Sequence, residues 1–271
     1  MRAFLTRTRT LVAAAALVAV GALAGLVISA ALSGDRSEGA AGVSLPGQRA
    51  APRSAQEFSP DAVRSERPSN TTVVATARAS SIRVYRRASS KRPGRRLRAR
   101  RVGARRLPLV FLTRSRKRGW VRVYLPTRPN LSSGWLRARD VTFAANPYRV
   151  TVKLRDHRLT LWRAGRAVMR ARIGTGKARS PTPTGRYFVT DLLRPPNPRG
   201  FYGPYALGLS AHSTVYTSFA GGNGQVGIHG TNRPGALGKD VSAGCIRVRN
   251  RVITRLAKLL PLGTPVDISR A

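Results

Sequence analysis

The sequence predicts a mainly β protein with one short helix, arranged as two globular parts behind an apolar N-terminal segment. Short runs such as 120–125 and 158–162 alternate apolar and polar residues, which is the period of a half-buried strand. Clusters of Gly, Pro, Asn and Ser separate these runs and predict turns. One stretch near the C-terminus, 251–260, instead spaces its apolar residues as one face of a helix.

The N-terminal segment, residues 1–32, carries three arginines followed by an uncharged apolar run at 11–32. A helix of that length would reach roughly 33 Å, enough for a hydrocarbon core of about 30 Å. The run is longer than a usual signal-peptide core, although the small residues at 29–31 leave cleavage open. We therefore expect a single-pass signal-anchor and an extracytoplasmic remainder, or a secreted protein if the segment is cleaved.

The composition of residues 33–72 predicts a flexible linker, because it is rich in Ser, Ala, Pro and Gly and holds one aromatic residue. Short strands return over 73–143, where Gly-Trp pairs open two of them. This part resembles a small bacterial SH3-like β-barrel, which predicts a separate domain. Its segment 91–106 is mostly arginine, which predicts either contact with a polyanion or a solvated hairpin loop.

Basic residues dominate the composition, with 50 Lys and Arg against 10 Asp and Glu and a formal net charge of +40. Such a surface attracts nucleic acid, anionic lipid or phosphate-rich polymers without specifying a fold. A general arginine bias of the composition explains the charge equally well. The sequence contains no indication of a specific nucleic-acid partner.

Residues 147–271 form the second predicted domain, with strands at 148–152, 158–162, 167–173 and 186–189. A stiff loop at 191–205 follows, with four prolines and the aromatic side chains of Phe201, Tyr202 and Tyr205. We expect this loop to cover the site and Tyr202 and Tyr205 to bind substrate, although a plain surface connection is as consistent with its composition.

The single cysteine, Cys245, and His229 carry the predicted chemistry. An apolar run ends at His229, another begins at Cys245, and the Gly-rich spacer between them predicts a looping connection. Adjacent strands joined in this way can place an imidazole beside a thiol. This arrangement suits a thiol nucleophile activated by a general base. A neighbouring imidazolium and nearby backbone dipoles are expected to lower the pKa of the Cys245 thiol and favour its thiolate form.

H-G-T at 229–231 and S-A-G-C-I-R at 242–247, together with T-P-T-G at 182–185, resemble the catalytic motifs of the L,D-transpeptidases. The resemblance covers most of 146–268 and implies an L,D-transpeptidase-type β-sandwich acting on the peptidoglycan wall. It also implies that a backbone carbonyl, that of Gly230, orients the imidazole. The family often has His where this chain has Ala243, which leaves only backbone groups to act at that position.

Five further groups complete the predicted site. The N–H groups of Gly244, Cys245 and Ala243 are candidates for an oxyanion hole. Arg247 lies two residues beyond the cysteine, and its guanidinium could bind a substrate carboxylate bidentately. Ser242 is expected to contact substrate or to hydrogen-bond within the motif.

The sequence predicts neither a metal site nor a cofactor, because three scattered histidines and one cysteine lack metal-ligand spacing. His157 is expected at a surface turn. His212 falls in a predicted strand, and its sequence position does not decide whether it lines the cleft.

The leading hypothesis is a peptidoglycan L,D-transpeptidase that acylates Cys245 with a stem tetrapeptide and releases D-alanine. Its partners would be stem peptides, the membrane through the N-terminal helix, and anionic wall polymers. Two alternatives stay open: a Cys/His wall hydrolase in which water accepts the acyl group, and a non-catalytic protein that binds anionic polymers.

Overall fold

The computed structural model describes residues 70–89, 91–92, 94–102, 104–218 and 222–271, which all belong to one compact unit, Ser54–Ala271. The expected membrane segment at 1–32 and the linker up to residue 69 lie outside the described residues. Within the described ranges, no helix combines the length and apolarity needed to cross a bilayer.

The chain forms nineteen strands, one α-helix and two 3₁₀ turns over these ranges. In chain order they are β1 (Thr72–Ala77), β2 (Ser81–Val84), β3 (Arg95–Arg98), β4 (Arg101–Val102), β5 (Arg105–Arg106), β6 (Val110–Lys117), β7 (Trp120–Tyr124), β8 (Ser133–Arg137), a 3₁₀ turn (Ala138–Asp140), β9 (Val141–Asn146), β10 (Tyr148–Lys153), β11 (Arg158–Arg163), β12 (Arg166–Arg172), β13 (Thr175–Gly176), β14 (Gly185–Leu193), β15 (Ala206–His212), β16 (Gln225–His229), a 3₁₀ turn (Pro234–Ala236), β17 (Asp240–Ser242), β18 (Ile246–Arg247), α1 (Asn250–Leu259) and β19 (Pro265–Ser269).

The first sheet is five-stranded and antiparallel, in the order β8-β7-β6-β1-β9. The hairpin β2–β3 and the short pair β4–β5 lie beside it in sequence. Alternation in β7 places Val121 and Val123 in a buried cluster with Phe111 and Leu136, as the two-residue period predicts. The likeness of this sheet to an SH3-like barrel stays a prediction.

The second sheet has eight strands in the order β12-β11-β10-β19-β14-β15-β16-β18. The predicted hairpin β10–β11 and the predicted strands at β12, β14 and β16 are confirmed, with bounds that differ by a few residues. β19 is the last strand in sequence, but it lies in the middle of the sheet, parallel to β10 and antiparallel to β14. Over the described residues the chain is mainly β with one α-helix, as the sequence predicts for this part.

β14 bends this sheet into a curled structure. Its first half, 185–188, pairs with β19, its second half, 189–193, pairs with β15, and a bulge separates Val189 from Asp191. A bulge increases the local twist and bends the strand. One buried cluster draws side chains from strands on both sides of the bend, so a single continuous sheet encloses the core that a two-sheet sandwich was expected to hold.

The helix α1 packs Ile253 and Leu256 into that core. The sequence predicts Asn250 as its N-cap, and this is wrong. Arg249 occupies the cap position without a side-chain bond, and the Asn250 carboxamide oxygen accepts the backbone N–H of Thr231 at 2.8 Å. The asparagine therefore holds the H-G-T segment instead of its own helix.

The two sheets share a buried contact. Phe188 of β14 is fully buried and clusters with Val74, Val110 and Leu112 of the first sheet. Asn146, at the end of the first sheet, donates to the Thr264 hydroxyl at 2.9 Å. Only residue 147 separates β9 from β10, so the two sheets follow each other without a flexible connection.

We expect Phe188→Ala to destabilise the folded chain by about 3–5 kcal/mol, because it leaves a cavity between the sheets. Val168→Ala, at an exposed position in β12, is the matched control and should change the free energy of unfolding by less than about 1 kcal/mol. Denaturant unfolding measures both. Equal effects of the two substitutions would contradict the buried contact.

Candidate active site

Cys245 and His229 lie at neighbouring strand ends. β16 and β18 pair in parallel, with Ile228 opposite Ile246 and His229 opposite Arg247. Side chains two residues apart in an extended segment share a face. Cys245, one residue before β18, therefore emerges on the same face as Arg247 and His229. The thiol and the imidazole both line one cleft, so the structure brings together the two residues that carry the predicted chemistry.

The imidazole of His229 is buried, and its Nδ1 lies 2.6 Å from the carbonyl oxygen of Gly230. A carbonyl only accepts, so Nδ1 carries the proton and Nε2 holds the free lone pair. Burial lowers the pKa of His229 to about 4, with the charge of Arg247 acting in the same direction and the Gly230 carbonyl opposing both. At neutral pH the imidazole is thus an uncharged base with a fixed tautomer.

Burial raises the pKa of the Cys245 thiol, while a backbone contact at Gly227 and the charge of Arg247 act against that rise. An imidazolium that lowers the thiol pKa is therefore not part of the resting site, contrary to the sequence-based expectation. The resting pair is a neutral thiol and a neutral imidazole. Slow alkylation of the resting thiol would consequently not distinguish an enzyme from a binding protein.

Close backbone packing explains the glycine of the H-G-T segment. A Cβ on Gly230 would lie 2.3 Å from Asn250 Oδ1 and 3.0 Å from the Cα of Gly203. Gly203 itself has a positive φ of 64°, which favours glycine. The N–H of Gly230 lies 3.4 Å from the carbonyl oxygen of Tyr205. The 194–205 loop therefore rests directly on the peptide that orients His229.

The predicted oxyanion donors differ in availability. The N–H of Gly244 donates to Ser242 Oγ at 3.0 Å, so the structure gives this group an internal acceptor and removes it from the candidates. No residue that the structure describes accepts from the N–H of Ala243 or Cys245, and both residues line the cleft. Gly244 contributes its conformation instead, because its φ of 119° favours glycine.

Ser242 holds the turn before the cysteine. Its hydroxyl donates to the carbonyl oxygen of Cys245 at 2.6 Å and accepts from Gly244. The side chain is buried, and both roles of the hydroxyl are filled from within the motif. The expectation of an internal hydrogen bond is met, whereas direct substrate binding by Ser242 has no free group to support it.

Residues of the segment 180–184 also hold the turn before the cysteine, through side-chain hydrogen bonds. Thr182 Oγ1 donates to the carbonyl oxygen of Gly244 at 2.9 Å and accepts the N–H of Gly176 at 2.9 Å. Ser180 Oγ donates to the carbonyl oxygen of Ser242 at 3.2 Å. The alternation of hydroxyl residues with Pro181 and Pro183 was the only sequence signal of this function.

The cleft has a volume of about 220 Å³. Phe201 and Tyr202 of the 194–205 loop contact His229, with ring centroids 5.6 and 4.9 Å away, and both line the cleft. Tyr205 does not. Its ring packs against the core and lies 5.3 Å from the guanidinium carbon of Arg194, so the structure does not bring it into this cleft and its role in substrate binding stays a prediction.

Arg247 is 9% exposed and lines the cleft. Its guanidinium lies 4.5 Å from the centroid of the Phe201 ring, a cation–π distance. The Nε–H is buried and has no acceptor among the described residues, and such an unsatisfied donor costs about 1–3 kcal/mol. A bound anion or carbonyl would remove that cost.

Lys177 and Arg179 also line the cleft and were missed by the sequence analysis, because an arginine-rich chain gives no reason to choose them. With Arg247 they supply three positive charges against no lining carboxylate within the described residues.

Nowhere in the described residues do three or more His, Cys, Asp or Glu side chains gather as metal ligands. His157 contacts Asp240 at 3.0 Å, and buried His212 lies 3.3 Å from the Asn223 amide. Neither histidine lines the cleft.

The first sheet reaches the cleft through the turn after β7. The Arg128 guanidinium donates to the carbonyl oxygens of Ser213 at 2.6 Å, Tyr216 at 2.8 Å and Asn223 at 3.3 Å. Asn130 exchanges two 2.8 Å hydrogen bonds with the backbone of His212. Because Tyr216 lines the cleft, this turn fixes one of its walls.

Comparison with known proteins places residues 147–268 within the L,D-transpeptidase catalytic domain, YkuD. A Bacillus subtilis protein provisionally named L,D-transpeptidase YkuD is 34% identical over 152 residues, which is 54% of this chain and 84% of the relative. Its Bacillus licheniformis counterpart is 40% identical over 123 residues, 45% of this chain and 66% of the relative. A solved Enterococcus faecium L,D-transpeptidase is 22% identical, with 46% of this chain and half of that chain covered and a TM-score of 0.36.

Thr182→Val should destabilise the chain by about 1–3 kcal/mol, because it keeps the side-chain shape and leaves the Gly176 N–H without its acceptor. Thr182→Ser retains the hydroxyl and should cost less than about 1 kcal/mol. Thermal or denaturant unfolding measures the difference. Equal stability of the Val and Ser variants would show that the clamp contributes nothing.

The stability of the chain should fall as the pH decreases from about 6.5 to 4. The folded-state pKa of His229 is about 4 and the unfolded value is about 6.5, so the unfolded chain binds more protons in this window. The expected loss due to this residue is on the order of 3 kcal/mol at pH 4.

His229→Gln, which cannot titrate, is the control for this pH dependence. Denaturant unfolding at pH 7.5 and pH 4 should show a larger loss of stability for the wild type than for the variant. Losses of the same size in both proteins would mean that His229 keeps an ordinary pKa in the folded chain.

Proposed function

The chain belongs to the YkuD family of L,D-transpeptidases, and from this premise we propose that it forms peptidoglycan cross-links through an acyl-enzyme on Cys245. The observation that carries the proposal is the placement of His229 and Cys245 on one face, with the His229 Nδ1–H donating to Gly230. That arrangement leaves Nε2 free to take the thiol proton. These residues supply the three parts that such chemistry needs, namely a thiol nucleophile, a base and a group that orients the base.

In the first half-reaction the Cys245 sulfur adds to the carbonyl carbon of the third residue of a stem tetrapeptide, while its proton passes to His229 Nε2. The tetrahedral adduct then breaks its C–N bond, and His229 returns the proton to the departing D-alanine amine. The product is a thioester on Cys245. Because the resting thiol and imidazole are both neutral, proton transfer accompanies attack and no stable ion pair precedes it.

In the second half-reaction the side-chain amine of a neighbouring stem peptide attacks the thioester carbonyl. His229 takes the amine proton, the C–S bond breaks, and the proton restores the Cys245 thiol. Water in place of the amine would make the chain a hydrolase by the same steps. The open face of the cleft does not distinguish these acceptors, so the acceptor must be identified from the products.

The N–H groups of Cys245 and Ala243 are the proposed oxyanion donors, because they lack internal acceptors in the described part of the chain. Thr182 and Ser242 fix the turn that carries them. Preorganised donors of this kind contribute about 100- to 1,000-fold each to acyl transfer. Rigidity of the turn thus serves catalysis directly.

Arg247 is the proposed contact for an anionic or carbonyl group of the donor peptide. Its side chain lines the cleft, its buried Nε–H has no acceptor among the described residues, and Lys177 and Arg179 add positive charge to the rim. A stem tetrapeptide ends in a carboxylate, which a guanidinium binds bidentately. Tyr202 supplies an aromatic wall beside His229.

The placement of the protein follows from the same proposal. The apolar run at 11–32 would anchor the chain in the cell membrane, with the catalytic domain on the wall side, or would direct secretion if cleaved. The part at 73–143 would then act as an SH3-like module near the substrate. Both statements rest on sequence pattern.

The wild type incubated with a stem tetrapeptide should gain the mass of the tetrapeptide minus that of D-alanine, with D-alanine released in equal amount. Cys245→Ala should show no added mass, because the sulfur is the attacking atom. His229→Ala should form the adduct at least about 100-fold more slowly, since general acid–base catalysis contributes that much. Intact-protein mass spectrometry measures all three, and an adduct on Cys245→Ala would reject the assignment.

Arg247→Met should raise KM for the tetrapeptide by at least about tenfold with a smaller change in kcat. Methionine keeps apolar contact with Phe201 while removing the charge and the donors. A tripeptide–D-alaninamide substrate, which lacks the terminal carboxylate, is the control and should respond less to the substitution. An equal loss on both substrates would place Arg247 elsewhere on the donor.

A further inference from the structure

The part of the chain that forms the first sheet carries a second concavity, larger than the cleft. A groove of about 940 Å³ opens between the 84–95 segment and the turn after β7. Its cationic lining residues are Arg86, Arg87, Lys91, Arg92, Arg95 and Arg128. No carboxylate of the described residues lines it. Apolar contacts from Val84, Tyr85 and Leu125 form its floor. We name this feature the basic groove.

Among the described residues, the positive charge of the basic groove has no counter-charge. The described residues contain five aspartates, and each already lies against a basic side chain elsewhere: Asp140 with Arg139, Asp156 with Arg158, Asp191 with Arg100, Asp240 with His157, and Asp267 with Arg149 and Arg186. None of these partners belongs to the groove. Concentrated like charges repel one another unless an external anion neutralises them.

Two of the groove cations are held in place by neutral oxygen atoms. Arg95 donates to the Thr127 hydroxyl at 2.7 Å, and Arg128 donates to three carbonyls of the 213–223 segment. Arg86, Arg87, Lys91 and Arg92 are exposed and make no ion pair with the described residues. Arg95 and Arg128 are therefore held in place, while the other four cations of the groove are exposed and without an ion pair among the described residues.

We propose that the basic groove binds a linear polymer of phosphodiester-linked polyol or sugar units. Guanidinium groups match phosphate oxygens bidentately, and the apolar floor accommodates the uncharged units between phosphates. Single-stranded nucleic acid is the less suitable occupant, because its bases need exposed aromatic side chains for stacking. The one aromatic residue among the described lining residues, Tyr85, is 4% exposed.

This binding would be independent of the thiol chemistry, since the groove and the cleft share no lining residue. Its consequence would be to retain the enzyme on wall material that carries phosphate polymers. Arg128 belongs both to the groove and to the clamp on the cleft wall, so substitutions that test the groove must leave Arg128 intact.

The test is fluorescence anisotropy with labelled poly(glycerol phosphate), using the full chain in detergent and the double variant Arg87→Ala/Arg92→Ala. The variant should bind at least tenfold more weakly at physiological salt. The slope of log affinity against log salt should flatten by about 1.4, as expected for two lost phosphate contacts. The matched control is Arg166→Ala/Arg170→Ala, which removes two exposed charges from β12 and should change affinity less than threefold.

Equal weakening of both double variants would overturn the proposal, because net charge alone would then explain binding. Single-stranded DNA of equal charge is the competing ligand and should bind more weakly. If it binds at least as tightly and depends on Arg87 and Arg92, the groove is a nucleic-acid site instead. Cys245→Ala should bind the polymer like the wild type, so failure of the proposed transpeptidation and failure of this groove give separate results.

Discussion

The hydrogen bond from His229 Nδ1–H to the Gly230 carbonyl determines what the rest of the site can do. It fixes the tautomer and leaves the lone pair of Nε2 free, in a residue that lines the same cleft as the thiol. Burial lowers the pKa of the imidazole to about 4 and therefore keeps this base uncharged at neutral pH. A general base that is neutral and oriented can accept the thiol proton only as the sulfur attacks.

Much of the surrounding structure keeps that peptide and the opposing turn in place. Asn250 and Gly203 pack against Gly230 from two sides, while Thr182 and Ser242 hold the turn at Gly244. The first sheet adds Arg128, which fixes a wall of the cleft through three carbonyls. The site is thus assembled from distant segments, which explains why hydroxyl and amide side chains outside the motif carry so much of its geometry.

The sequence predicted the main strands, the helix and the Cys245–His229 pair, because alternation, helical spacing and a rare residue type are local signals. It could not predict contacts between distant segments. Thr182 reaches Gly244 across 62 positions and Arg128 reaches Ser213 across 85. Asn250 was misassigned as a helix cap because its local context favoured that role. The sequence also suggested a lowered pKa for the Cys245 thiol, whereas burial raises it. That burial arises only in the folded chain, so the sequence could not show it.

The most direct test of the central claim is the protonation state of His229 measured by ¹⁵N NMR on the selectively labelled chain. The account predicts a neutral ring at pH 7, with the proton on Nδ1 and a titration midpoint near pH 4. A doubly protonated ring at pH 7 would contradict it, because an imidazolium could not act as the base that receives the proton of Cys245.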